Sequence, residues 1–247
     1  QKTWEKPFQK WSKDDAVKIS TNSPWTQDYQ SSEGSAAIDR QAIAKEQADL
    51  RINPNYKGGS ANSNGGSKAG DVGVPVVQIR LHSALPVRQA FVRLQEIAAG
   101  YDKMDEKKRA EFDDKIKNTL ECPLCQKFYI VTLSKSVNTS GQNVEDGLFQ
   151  TMKLEDLKGN VWLENDKGER QELAQFIPPK GSKDFAVFFF PRLDAKGHEF
   201  LTSQNKTFKF VFDNNFLSVS KNPYASILPK NFGFDLSKLM IDEKIEF

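Results

Sequence analysis

The residues whose types and spacing best suit chemistry are Cys122 and Cys125, the two cysteines of the chain, which are separated by a proline and a leucine. This Cys-x-x-Cys spacing occurs in thiol-redox pairs, in halves of zinc sites and in short structural disulfides. We predict that a helix ends just before the pair and that a strand follows it. Because the C-terminal end of a helix carries partial negative charge, this order disfavours a thiolate and argues against a redox enzyme.

The zinc and disulfide interpretations make different demands on the rest of the chain. A closed zinc site needs four ligands, so His82 and His198, the two histidines, would both have to converge on the cysteines. We place His82 at the end of a strand and His198 in a turn. A disulfide between Cys122 and Cys125 suits an exported protein, although so small a loop gains only about 2 kcal/mol from chain entropy. We take the disulfide as the leading interpretation and two free thiols as the next.

Motifs for other chemistry are missing from the sequence. It contains neither the Gly-x-Ser-x-Gly elbow of hydrolases nor the His-Glu-x-x-His helix of metalloproteases. The segment 65–68 (GGSK) departs from the phosphate-loop pattern, so we expect no cofactor. No catalytic residue is therefore assigned. An enzyme whose acid and base lie far apart in the sequence is the hypothesis that we rank last.

The charge balance and the apolar runs narrow the class of protein. There are 35 Lys and Arg against 33 Asp and Glu, and the resulting net charge of +2 gives no reason to expect nucleic acid as a partner. The apolar run 185–190 is far shorter than the roughly 20 residues of a membrane-spanning helix. The chain begins with Gln, which fits either a signal-cleaved mature chain or a trimmed one. We favour the mature chain and expect export to the periplasm or the cell exterior.

Three of the four tryptophans, Trp4, Trp11 and Trp25, lie in the N-terminal arm, residues 1–34. Such large aromatic side chains serve either as a ligand-binding platform or as anchors that hold the arm on a core. We favour the anchors. A capping pattern at Ser12 and Asp15 predicts a short helix within the arm, and this helix should end before Pro24.

The rest of the chain divides into three further parts. Residues 35–73 predict a helical insertion followed by a flexible loop rich in Gly, Asn and Ser. Residues 74–126 predict a strand over 74–81 and helices over 85–99 and 105–120. Residues 127–247 are rich in predicted strands, which we place at 127–133, 161–164, 170–177, 185–190, 206–212 and 232–247.

These elements predict an α+β fold in which N-terminal helices pack on a mostly antiparallel, sandwich-like C-terminal sheet, as one continuous globular unit. Phe208, Phe210 and Phe212 alternate with other residues and should face the core. We also expect a sheet edge near these phenylalanines, where a protein partner or a second copy of the chain would add a strand.

Several short motifs resemble an uncharacterised family of exported acidobacterial proteins. The likeness covers most of the chain, with residues 35–73 as an insertion, and is carried by Trp4, Trp11, the Ser-Pro-Trp at 23–25, SALPVRQA at 83–90, YIVTL at 129–133 and FFPR at 189–192. The resemblance implies an exported, signal-cleaved protein and brings no activity, cofactor or catalytic residue. We therefore expect a non-catalytic protein with a structural or partner-binding role. The alternative is a thiol-redox or metal-binding protein that uses Cys122 and Cys125.

Overall fold

The computed structural model of the chain describes residues 2–30, 75–137, 147–180, 184–194, 196–213, 216, 228–242 and 244–247. The predicted helical insertion and flexible loop, residues 35–73, lie outside the described residues. The first described helices lie within the N-terminal arm, and strands dominate the chain after residue 127.

The longer helices begin and end where local sequence signals place them. They are α1 (Lys13–Thr21), α2 (Leu85–Ala99) and α3 (Glu106–Glu121), followed by the single turns α4 (Gly147–Gln150) and α5 (Leu154–Leu157). Short 3-10 helices occupy Thr3–Glu5, Phe8–Lys10, Tyr101–Lys103 and Leu236–Leu239.

The capping signals of α1 and α2 are confirmed. At the start of α1 the backbone N–H of Asp15 donates to Ser12 Oγ at 3.1 Å, and that of Ser12 donates to Asp15 Oδ2 at 3.0 Å. Helix α2 ends at Gly100, whose φ of 69° is the left-handed conformation that glycine adopts without steric cost.

The strands form two main sheets in which all described pairings are antiparallel. They are β1 (Thr26–Gln30), β2 (Pro75–Leu81), β3 (Phe128–Val137), β4 (Val161–Asn165), β5 (Arg170–Glu172), β6 (Gln175–Ile177), β7 (Ala186–Pro191), β8 (Thr207–Phe212), β9 (Asn231–Asp235), β10 (Met240–Ile241) and β11 (Lys244–Ile245). One sheet has the order β1-β2-β3-β7-β6 and the other β5-β4-β8-β9, while β10 and β11 form a small hairpin.

The two main sheets pack face to face around a core of aromatic side chains. Phe188 and Phe190 of β7 contact Phe210 of β8, with ring centroids 5.2 Å and 5.8 Å apart. All three rings are buried, and the core continues into Val77, Val131 and their neighbours on the five-stranded sheet. The predicted α+β fold with a sandwich-like, antiparallel arrangement of strands is confirmed.

The N-terminal helices pack on the outer face of the five-stranded sheet, the face that looks away from this core. Trp11, Ile19 and Ala90 form a second apolar cluster between α1 and α2. Arg80, which projects from the outer face of β2, donates from Nε to the Ser20 carbonyl oxygen of α1 at 2.7 Å. Its guanidinium lies 6.0 Å from the ring of Phe91 on α2.

Two predictions about the strands are wrong. Residues 170–177 form two strands in different sheets, because the chain crosses from one sheet to the other at Leu173 and Ala174. Leu173 is buried in the core, and the N–H of Ala174 donates to Phe189 O on β7 at 2.9 Å. Strand β8 is not an edge, since it lies between β4 and β9. The described edges of its sheet are β5 and β9, so the edge expected at residues 208–212 is already occupied by the closing segment of the chain.

In the described part of the chain, each helix is too short or too polar to cross a membrane.

Candidate functional site

The two cysteines lie where α3 ends and the chain turns into β3. Cys122 caps the helix in a left-handed conformation with φ of 41°, and its N–H donates to Asn118 O at 3.0 Å. The N–H of Cys125 donates to Cys122 O at 2.8 Å, which closes the turn. The Cα atoms of the pair are 5.2 Å apart and the sulfurs are joined in a disulfide. The structure therefore contains the bond that the sequence analysis ranked first.

The two sulfurs lie in different surroundings. Cys125 is 4 % exposed and packs against Ile130 and Phe189 on the outer face of the five-stranded sheet. Cys122 is partly exposed at the border of the same cluster. Leu124, between them, is 49 % exposed. The disulfide thus holds the end of α3 on the sheet through Cys125 and leaves Cys122 partly exposed.

A cavity of about 410 Å³, here called the disulfide pocket, opens beside this bond. Its lining includes both cysteines, Arg88 of α2, Arg192 directly after β7, and residues 245–247 at the C-terminal end. The pocket therefore joins segments that are far apart in the sequence.

Arg88 is buried where α2 passes the end of α3. Its Nε donates to Ser83 O at 3.3 Å, and its Nη1 donates to the carbonyl oxygens of Thr119, at 3.3 Å, and Leu120. Carbonyl groups in the last turn of a helix have no partner within the helix and carry its negative partial charge. Arg88 satisfies two of these groups and places a positive charge beside Cys122.

Arg192 connects the disulfide turn to the C-terminal segment. Its Nε donates to Cys125 O at 2.7 Å and its Nη2 to Phe247 O at 2.6 Å. The guanidinium lies 4.8 Å from the ring centroid of Tyr129, in the range of a cation–π contact. These contacts hold the side chain in one orientation at the wall of the pocket.

Both arginines carry their charge at an electrostatic cost. Burial lowers the pKa of Arg88 most, Glu246 raises it in part, and the like charge of Arg192 lowers it further. Burial also lowers the pKa of Arg192, against the raising effects of Tyr129, Glu246 and Glu199. Among the described residues no side-chain carboxylate lies within ion-pair distance of either guanidinium.

Each guanidinium also retains hydrogen-bonding capacity. Arg88 Nη2 and Arg192 Nη1 have no protein acceptor within the described ranges, because the bonds of these side chains come from the other nitrogens. Two cations with unused donors at one cavity are suited to hold an anionic group.

Comparisons with protein-family models, with curated proteins and with solved structures give no match.

The histidines stand in unlike surroundings. His82 lies beside Phe91 with ring centroids 5.6 Å apart, and burial, with lesser effects of Arg88 and Arg80, lowers its pKa to about 4. His198 is exposed in a turn, where its Nδ1 lies 3.5 Å from Asp194 Oδ2. In the described part of the chain no three residues of the His, Cys, Asp and Glu types form a group that could hold a metal ion. The four-ligand set with Cys122 and Cys125 is thus not assembled there.

The three N-terminal tryptophans are packed as anchors. Trp11 and Trp25 are 1 % and 0 % exposed, and the ring of Trp4 stands edge-on to Trp25 at 5.2 Å. Trp11 Nε1 donates to Lys6 O at 3.1 Å, so its polar atom is satisfied inside the arm. The buried rings of Trp11 and Trp25 present no open surface to a ligand.

The two pocket arginines lie within the motifs at 83–90 and 189–192, but no role was predicted for them from the sequence. One signal for Arg88 was available, since it follows Val87 and precedes Ala90 and Phe91 in the apolar stripe of α2. A charged residue within such a stripe is buried only when its hydrogen bonds are satisfied. Arg192 follows the buried phenylalanines of β7, and only its tertiary contacts distinguish it from other arginines.

Proposed function

We propose that this chain is an exported, non-catalytic binding protein that holds a carboxylate of its partner between Arg88 and Arg192 in the disulfide pocket. The observation that carries the proposal is the pair of guanidinium groups at one cavity, with no ion pair to a described side-chain carboxylate and with one terminal nitrogen of each without a described acceptor. The planar guanidinium matches a carboxylate in shape and charge.

The remaining charges at the pocket disfavour a ligand with more than one negative charge. Glu121, Glu199 and Glu246 also lie in its lining. Their repulsion grows with the charge of the ligand, so a phosphate dianion is held less well than a carboxylate. A volume of about 410 Å³ leaves room for the group that carries the carboxylate, such as an acidic side chain or the end of a peptide.

Export is supported by the disulfide, because such bonds persist in oxidising compartments and are rare in the cytosol. The resemblance to an exported family points the same way. Fractionation of the cells that make this chain, with the protein detected by an antibody, tests this part of the proposal. Recovery in the cytosolic fraction alone would refute export and leave carboxylate binding unaffected.

Carboxylate binding is tested by titrating the ¹⁵N-labelled chain with sodium acetate while sodium chloride keeps the ionic strength constant. We expect saturable shifts of the Nε–H signals of Arg88 and Arg192. The Arg192→Gln variant should lose saturation, and Arg192→Lys should keep part of it. Arg109→Gln is the matched control, because Arg109 is an exposed arginine that donates to the main-chain oxygens of Tyr101 and Asp102. Shifts that rise linearly with the acetate concentration in the parent chain, or shifts of Arg88 that still saturate in Arg192→Gln, would contradict the proposal.

A further inference from the structure

We propose that the Cys122–Cys125 bond is a thiol–disulfide exchange site at which a dithiol reductant attacks Cys122. The thiolate of the reductant forms a mixed disulfide with Cys122 and displaces Cys125 as a thiolate, which takes up a proton. The second thiol of the reductant then attacks the reductant's first sulfur, the one bonded to Cys122 in the mixed disulfide, and releases Cys122. The reductant loses two electrons and two protons in forming its disulfide, and the two cysteines gain them.

The first support is the difference in exposure between the two cysteine residues. Cys125 is 4 % exposed within an apolar cluster with Ile130 and Phe189, whereas Cys122 is partly exposed at the pocket. An attacking thiolate therefore reaches Cys122 first. The exposed side chain of Leu124, between the cysteines, offers an apolar contact to a protein that carries the attacking thiol.

The second support is the charge around the pair. The end of α3 by itself disfavours a thiolate, but Arg88 donates to the carbonyl oxygens of Thr119 and Leu120 and so offsets that negative end. Arg192 donates to Cys125 O and brings a second cation to the pocket. Positive charge beside a cysteine favours its thiolate, both as nucleophile and as leaving group.

The third support is that the fold does not depend on the bond. The main core of the sandwich is formed by other residues, and the disulfide belongs to a small separate cluster on the outer face. The bond closes a loop with a sequence separation of only three, so it restrains the unfolded chain little. The chain can therefore be reduced while it stays folded.

The test compares single-cysteine variants of the full chain. Cys125→Ser and Cys122→Ser are incubated under native conditions with glutathione disulfide, and the adduct is followed by mass spectrometry. In the native state the adduct at Cys122, measured in Cys125→Ser, should form at least about tenfold faster than the adduct at Cys125, measured in Cys122→Ser. The two rates should be equal once urea unfolds both variants. Equal rates in the native state would overturn the proposal.

A second measurement uses the unmodified chain. Dithiothreitol should reduce the bond while near-ultraviolet circular dichroism shows that the tertiary packing is retained. Reduction that occurs only together with unfolding would overturn the proposal. This outcome does not depend on carboxylate binding, so failure of the acetate titration and failure of the exchange test are distinguishable.

The role of the arginines is tested in the Cys125→Ser background. Five charged side chains line the pocket around Cys122, namely Arg88, Glu121, Arg192, Glu199 and Glu246. Arg192→Gln removes one cation and should move the pH profile of adduct formation to higher pH, whereas the exposed control Arg109→Gln should leave it in place. Identical pH profiles for the two substitutions would show that Arg192 has no effect on the reactivity of Cys122.

Discussion

The indole Nε1 of Trp25 donates a hydrogen bond of 2.7 Å to the carbonyl oxygen of Glu246, 221 positions further along the chain. The bond joins the N-terminal arm to the C-terminal segment, of which Glu246 also lines the disulfide pocket. Trp25 is fully buried and Glu246 partly buried, so an unpaired polar group at this place is costly.

Trp25→Phe keeps an aromatic ring and removes this donor. We expect the free energy of unfolding to fall by about 1–3 kcal/mol, because the Glu246 carbonyl loses its partner in a partly buried place and the smaller ring leaves part of the buried site unfilled. Urea denaturation followed by circular dichroism measures the loss. Trp4→Phe is the matched control, since Trp4 is only partly buried and contacts Trp25 through its ring. A larger loss in the control than in Trp25→Phe would show that ring packing matters more than the hydrogen bond.

His82 makes the stability depend on pH. Its pKa falls from the ordinary 6.5 to about 4 in the fold, chiefly because of burial, so the unfolded chain binds the proton first as the pH drops. The stability contributed by neutral His82 is therefore lost as the pH falls from about 6.5 towards about 4.

The variant His82→Leu tests this dependence. It removes the titrating group and also a buried Nδ1 that has no hydrogen-bond partner within the described structure. Urea unfolding of the variant and the parent chain is compared at about pH 7 and about pH 5. We expect the advantage of the variant in free energy of unfolding to be larger at about pH 5. His198→Gln, at an exposed turn, should track the parent at both. An advantage of His82→Leu that shrinks at the lower pH would contradict the assignment.

Neighbouring residues of β8 should differ sharply in their cost of substitution. Phe210 is fully buried between the sheets, and Phe210→Ala should lower the free energy of unfolding by about 3–5 kcal/mol through lost burial and the cavity left behind. Lys209 faces solvent on the same strand, and Lys209→Ala should change it by less than about 0.5 kcal/mol. Denaturant unfolding of both variants measures the contrast, and similar losses would place β8 outside the core.

The predictions that succeeded rest on residues close together in the sequence. The capping pair Ser12 and Asp15, the terminating Gly100 and the apolar stripe of α2 act within a few residues, so the ends of the helices could be read from the chain itself. The disulfide candidate belongs to the same group, since its cysteines are only three positions apart.

The predictions that failed concern which strand lies beside which. The sequence predicts one strand over residues 170–177, and it carries no mark of the crossing at Leu173 from one sheet to the other. The alternating pattern in β8 shows which face is buried but not that β9 covers its edge. Period-two alternation reports burial of a face, whereas pairing depends on backbone groups that every residue has.

The sequence by itself determined the helices, the presence of an aromatic, strand-rich half and the Cys-x-x-Cys pair, because these depend on local propensity and spacing. Only the tertiary structure brought Arg88 to the end of α3 and Arg192 to the C-terminal segment, across separations of 31 and 55 residues. The physical reason is that the burial and the hydrogen bonds of a charged side chain depend on its neighbours in space. These neighbours cannot be read from the order of residues in the sequence.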